Sequence, residues 1–164
     1  MEGLRLAILS LHTSPGDQPG SGDAGGMNVY VRNVASELVA RGAIVDVYTR
    51  CAGREVPEIE LVGPGLRVIQ AQAGPCARVD KDDLDELLPR FVLSILRHEP
   101  PPYDLIHSHY WLSGRAGLAL RERWDAPLVA SFHTLAAVKE ADGFAEPEAR
   151  FRGERAVVAG ADRL

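Results

Sequence analysis

Short apolar runs alternate with longer amphipathic stretches, and that alternation predicts the layers of the fold. Leu4-Arg5-Leu6-Ala7-Ile8-Leu9-Ser10 reads as a buried strand. A Gly/Pro/Ser-rich segment comes next, and then Val31, Val34, Ala35, Leu38 and Val39 recur at helical spacing, with Gly42 as a stop signal after Ala40-Arg41. Ala43 to Thr49 is a β-branched strand, residues 50–65 carry polar groups, Gly and Pro and predict a loop, and Leu66 to Ala71 alternates as a third strand. From Asp82 to His98 the apolar positions Leu84, Leu87, Leu88, Phe91, Val92 and Ile95 predict a second helix, acidic early and basic late as its dipole favours. Pro89 inside it predicts a kink or a division into two pieces. After the stiff connector Pro100-Pro101-Pro102 come a strand at Asp104 to His107, a helix from about Trp111 to Trp124, a strand at Leu128 to Phe132 and a helix at Glu148 to Gly160. Asp162-Arg163-Leu164 reads as the first turn of a further strand.

Strands that alternate with helices, and that look buried on both sides, predict an α/β fold: a doubly wound, mostly parallel, Rossmann-like sheet in one domain over residues 1–164. Right-handed crossovers then bring every strand's carboxyl end to one edge, where ligands bind at the switch in strand order. The 164 residues, 46% apolar and 25% charged, suffice for a real core. A net charge of −5 argues against nucleic acid as a partner. The longest apolar runs, Leu4 to Leu11 and Ala126 to Phe132, are too short to cross a bilayer, and Met1-Glu2-Gly3-Leu4-Arg5 lacks the basic lead of a signal peptide. The expectation is a cytoplasmic protein. Cys51 and Cys76 offer no ligand spacing and read as two ordinary thiols in a reducing compartment.

Function then rests on the residues at the carboxyl ends of the strands. Gly20, Gly22 and Gly25 spell G-x-G-x-x-G, but about nine residues separate Leu11 from Gly20, and Thr49-Arg50 stands where a dinucleotide site needs an acid, so that reading is rejected. Gly25-Gly26 directly before a helix still presents side-chain-free amides at a helix amino terminus, which suits a phosphate or diphosphate. Of five histidines, His12, His107, His109 and His133 fall at strand ends. A metal site is the rival explanation, favouring a metal-dependent hydrolase, but His107-Ser108-His109 brings no carboxylate with it. A non-catalytic module for phosphorylated ligands is a third reading. The basic residues near this edge are Arg78 and Lys81, then Arg150, Arg152 and Arg155.

His12-Thr13-Ser14-Pro15, Gln18-Pro19-Gly20 and Gly22-Asp23-Ala24-Gly25-Gly26-Met27-Asn28-Val29-Tyr30-Val31, then Asp104 to Gly114 and Ser131-Phe132-His133-Thr134-Leu135, resemble the motifs of family 4 retaining glycosyltransferases with the GT-B fold. Within that family they are most similar to the branch that opens mycothiol synthesis. The resemblance covers the whole chain but only the amino-terminal, acceptor-binding domain of such an enzyme, without its nucleotide-sugar domain. It implies transfer of a sugar, N-acetylglucosamine from UDP-GlcNAc, to a phosphorylated polyol such as 1D-myo-inositol 3-phosphate, with a sucrose-phosphate synthase-like acceptor, fructose 6-phosphate, as the alternative. His133 and Gly26 would be catalytic, and Gln18, Pro19 and Gly26 would bind the donor. His12, Asp23, Ala24, Gly25, Gly26, Met27, Asn28, Lys81, Tyr110, Thr134 and Arg150 would bind the acceptor, the last four its phosphate, with Arg152 as a rival for Arg150. No metal or other cofactor is expected, and the full-length protein is expected to be a homodimer. The fragment alone is expected to fold but not to turn over.

Overall fold

The structure is a computed structural model describing residues 3–16, 25–53, 55–98 and 102–164. Its sheet has six strands: β1 (Arg5–Leu9), β2 (Ile44–Arg50), β3 (Ile59–Gly63), β4 (Leu66–Ala71), β5 (Leu105–His109) and β6 (Leu128–Ser131), in the order β3-β4-β2-β1-β5-β6. All neighbours run parallel except β3 against β4. The parallel strands, numbered among themselves, lie 3-2-1-4-5, so the chain reverses direction across the sheet between β1 and β5.

The helices are α1 (Gly26–Ala40), α2 (Leu84–Arg97), α3 (Tyr110–Trp124), α4 (Ala136–Ala141) and α5 (Glu148–Gly160). Alternate strand residues feed two cores. Leu6, Ile8, Val45, Val47, Leu66 and Val68 pack with Val31 and Ala35 of α1 on one face. Ala7, Leu9, Tyr48, Ile69 and Ile106 pack with Phe91 and Ile95 of α2 and Leu112, Ala116 and Leu120 of α3 on the other. This period-two division is what a sheet covered on both faces requires.

α5 docks on α3 through glycines. A methyl group at Gly114 would lie 2.6 Å from Val157, and one at Gly153 would lie 2.7 Å from Cζ3 of Trp111 and closer still to Cε3. Only hydrogen fits at these two points, so the helix axes approach closely. The amino termini of α3 and α5, which carry Tyr110 and Arg150, are thereby held beside one another.

Several sequence expectations need correction. Residues 59–63, expected to be loop, form β3, which turns back through residues 64–65 onto β4. Its residues are mostly exposed, so main-chain pairing rather than burial holds it, and the burial signal that marks the other strands is absent. The short helix α4 is a further element that the apolar pattern does not announce. α2 does not divide at Pro89: a 3-10 turn at Lys81–Asp83 precedes it, and Leu84, Leu88, Phe91 and Ile95, all buried, anchor one continuous helix. β5 runs on to His109 and passes into α3 with no intervening loop. Residue 163 does pair with β6, as a single parallel bridge to Val129.

Cys51 and Cys76 are not separate thiols. They are joined in a disulfide, with Cα atoms 4.9 Å apart. Arg50 reinforces the same junction, donating to the carbonyls of Cys51 (2.7 Å), Pro75 (2.8 Å) and Ala77 (2.7 Å). Together they fasten the segment that leads to Lys81 onto the end of β2.

Candidate active site

The crevice opens where β1 and β5 part. From the β1 side comes His12, its ring 4.6 Å from that of Tyr110. Its loop is fixed at the start by the Ser113 hydroxyl, which accepts from the Leu11 amide at 2.9 Å, and farther on by Asn28, whose amide group donates to the Ser14 carbonyl. α1 begins here. Gly25 provides no side-chain cap, the first turn holds no acid, and among the described residues nothing lies within 4 Å of where a side chain at Gly25 or Gly26 would start. The Asn28 amide bonds to the Gly25 carbonyl at 3.1 Å, and the positive end of the helix dipole here is a setting that attracts an anion.

From the other side come the ends of β5 and β6. Tyr110 (φ 73°) and His133 (φ 64°) both adopt left-handed backbone, which costs a non-glycine residue energy and concentrates at functional sites. The bend at Tyr110 sets its ring between two cations, with Lys81 Nζ at 4.5 Å and Arg150 Cζ at 5.1 Å from the ring centre. Arg150, only 2% exposed, donates from Nε to Glu154 (2.8 Å), from one terminal nitrogen to Glu146 (2.7 Å), and from the other to the Thr134 carbonyl (2.9 Å) and hydroxyl (3.0 Å). Glu154 also accepts from the Ala136 amide at 2.9 Å, so one buried carboxylate ties Arg150 to the backbone just after Thr134. Lys81, Tyr110, Lys139, Glu146 and Arg150 line a single cleft of about 510 Å³. Arg152 lines a different hollow, with Asp85 and Arg115.

Between these two anion-suited corners lies a floor of imidazoles. His109 Nδ1 is 3.0 Å from His133 Nε2, His107 Nε2 is 3.0 Å from the Ser131 hydroxyl, and Tyr30 stands edge-on to His109 and His133. Burial pushes the His109 pKa down to about 2, helped by His107 and His133, and that of His107 to about 4, helped by His133. It pushes that of His12 to about 3, helped by Lys81 and His133, and lowers that of His133 as well. These rings are therefore neutral near pH 7 and serve as hydrogen-bonding groups, not cations.

Lys81, Tyr110, Thr134 and Arg150 thus come together, with His12 against the same tyrosine. Gln18, Pro19, Asp23 and Ala24 lie outside the described residues. The Met27 side chain packs against both cores. Sequence reasoning passed over Lys139, Glu146, Glu154 and Tyr30. The spacing Glu146-x-x-x-Arg150-x-x-x-Glu154 was a legible signal, since residues four apart meet on a helix. Among the described residues no three His, Cys, Asp or Glu side chains converge in a manner that could hold a metal ion.

Fold and site together define a doubly wound α/β domain whose switch-point crevice carries two corners suited to anions. Residues 25–164 match the family model described as a glycosyl transferase 4-like domain, and the chain belongs to that family. It is 52% identical to the D-inositol 3-phosphate glycosyltransferase of Nocardiopsis dassonvillei, over 98% of this chain and 39% of that protein. It is also 52% identical to the enzyme of the same name from Corynebacterium jeikeium, over 98% of this chain and 40% of that protein. Among solved structures, sucrose-phosphate synthase from Thermosynechococcus elongatus superposes with a TM-score of 0.90 at 34% identity, over 97% of this chain and 41% of that one. The chain therefore spans about two-fifths of the length of the relatives it matches.

Proposed function

We propose that this chain is the acceptor-binding domain of a retaining glycosyltransferase that moves N-acetylglucosamine from UDP-N-acetylglucosamine to a hydroxyl of 1D-myo-inositol 3-phosphate. The observation that carries the reading is the pairing of Lys81 and Arg150 across the Tyr110 ring, with the Thr134 hydroxyl on Arg150. Two cations and the Tyr110 side chain in one hollow, with the Thr134 hydroxyl bonded to one of those cations, match the needs of a phosphate monoester. The amino terminus of α1 at Gly26, uncapped by a side chain and without an acid in its first turn, suits the donor diphosphate as its charge grows on bond cleavage. His12 and His133, neutral and directional, orient sugar and polyol hydroxyls between the two, with buried His109 holding the His133 ring.

In the reaction proposed, the bond from the anomeric carbon to the diphosphate breaks as the acceptor oxygen bonds to the same face of that carbon. The acceptor's proton passes to the departing diphosphate. Positioning and amide charge stabilisation carry this chemistry, and no metal takes part.

Identity of 52% to the inositol phosphate enzymes against 34% to sucrose-phosphate synthase favours inositol 3-phosphate over fructose 6-phosphate as acceptor. Calorimetric titration with inositol 3-phosphate, fructose 6-phosphate and unphosphorylated myo-inositol tests the assignment. Inositol 3-phosphate should bind most tightly. A preference for fructose 6-phosphate, or equal binding of myo-inositol, would refute it.

A further inference from the structure

Arg150 can form five hydrogen bonds through its N–H groups, and in this structure they are nearly used up. Nε serves Glu154, one terminal nitrogen serves both Thr134 oxygens, and the other serves Glu146, leaving a single N–H for any ligand. A phosphate that takes more than this one N–H must displace a partner. Glu154 cannot yield, because it is buried and also caps the Ala136 amide. The Thr134 carbonyl is backbone at the end of β6. Glu146 is different: it sits between α4 and α5, outside both helices, and the bonds its carboxylate makes are to Arg150 and Lys139. Both cations and Glu146 line the cleft that also holds Lys81 and Tyr110.

We propose that Glu146 is a built-in counter-ion that stands in for the ligand phosphate on Arg150 and Lys139, and that Lys139 is a third cation of that subsite. The inference rests on the acceptor reading above and adds its selectivity. A phosphate monoester with nearly two charges replaces a carboxylate with one, whereas a neutral polyol has nothing to offer an ion pair whose carboxylate side chain is only 8% exposed. Glu146 thus excludes acceptors without a phosphate, and the ion pair keeps Arg150 shaped for the one that fits. Burial favours the protonated form of Glu146, yet hydrogen bonds from Lys139 and Arg150 outweigh it and hold the carboxyl below its usual pKa, so the counter-ion is charged at neutral pH.

The test is the affinity for inorganic phosphate, measured by calorimetry on the protein, Glu146→Gln, Lys139→Met and the control Glu122→Gln, which makes the same charge change at an exposed position on α3. Glu146→Gln should tighten phosphate binding about tenfold, the factor that corresponds to ~1.4 kcal/mol. Lys139→Met should weaken it by a similar factor, and Glu122→Gln should leave it unchanged. Unchanged or weaker binding by Glu146→Gln, or no phosphate binding by either protein, would overturn the proposal. If phosphate binding tightens while inositol 3-phosphate gains nothing over fructose 6-phosphate, the acceptor reading fails and the counter-ion stands. If inositol 3-phosphate is preferred but Glu146→Gln changes nothing, the reverse holds.

Discussion

Gly153→Ala is the sharpest probe of how the fold builds the site. Position 153 lies on α5 where it meets α3, and the new methyl group would sit 2.7 Å from Trp111 Cζ3, closer still to Cε3, and 3.2 Å from Arg115 Cδ. The arginine stem can swing away. The indole cannot, because it is 6% exposed and packed into the larger core. Two effects oppose each other. Alanine gains about 1 kcal/mol over glycine inside a helix. Forcing a methyl group into a full interface costs about 1–3 kcal/mol, and a rigid aromatic neighbour puts this case at the upper end. The net expectation is a loss of about 1–2 kcal/mol, which for a domain of this size lowers Tm by roughly 2–8 °C. Urea denaturation and thermal melts measure this directly. The same push should separate Tyr110 from Arg150, since each begins or nearly begins one of the two helices, so phosphate affinity should fall alongside stability. A variant as stable as the parent, or more stable, would show that α3 and α5 are not held by this contact.

Two further outcomes concern buried groups. His12, His107 and His109 have folded-state pKa values pushed down to about 3, 4 and 2, chiefly by burial, whereas the unfolded chain protonates histidine near 6.5. The unfolded state thus binds more protons below that pH, so the stability these rings contribute is intact above pH 6.5 and is lost as pH falls toward 4. His109, fully buried, alone contributes a slope of about 1.4 kcal/mol per pH unit across that window. Urea midpoints at pH 7.5, 6 and 5 should decline steeply, and a flat series would mean the rings are solvated. Reduction of the Cys51–Cys76 disulfide opens a loop spanning 25 positions and should cost about 3.5 kcal/mol on the chain-entropy model. Melts with and without a phosphine reductant check this, and coincident curves would refute it.

Much of the fold was legible in the residues because burial leaves a periodic mark. β1, β2, β4 and α5 fell within a residue or two of expectation, each having a continuous apolar run or an apolar face. β3 and α4 left no such mark, since both lie at the surface and owe their form to pairing or to neighbours. The site divides in the same way. Histidines at strand ends and glycines before a helix were visible because topology alone brings them to one edge. Lys81, Tyr110, Thr134 and Arg150 were indicated by resemblance, and their meeting depends on the bend at Tyr110 and the α3–α5 contact, neither of which has a local signature. Glu146 was legible from its four-residue spacing to Arg150 and was passed over, whereas Lys139 was missed because its ion pair with Glu146 joins a helix to a connecting segment seven positions on, which obeys no fixed spacing. The disulfide was missed because its cysteines lie 25 positions apart and only the packing of the 72–80 segment against β2 joins them.

The exposed imidazole at position 133 sits on a left-handed backbone that glycine would adopt without penalty. That exchange would release roughly 1 kcal/mol of strain. It would also take away the ring that meets the fully buried His109 Nδ1 at 3.0 Å, and a buried nitrogen left without a partner costs about 1–3 kcal/mol. The strained bend is therefore held in place by the hydrogen bond it makes possible, and variants sorted for thermal resistance alone would keep a hydrogen-bonding side chain there.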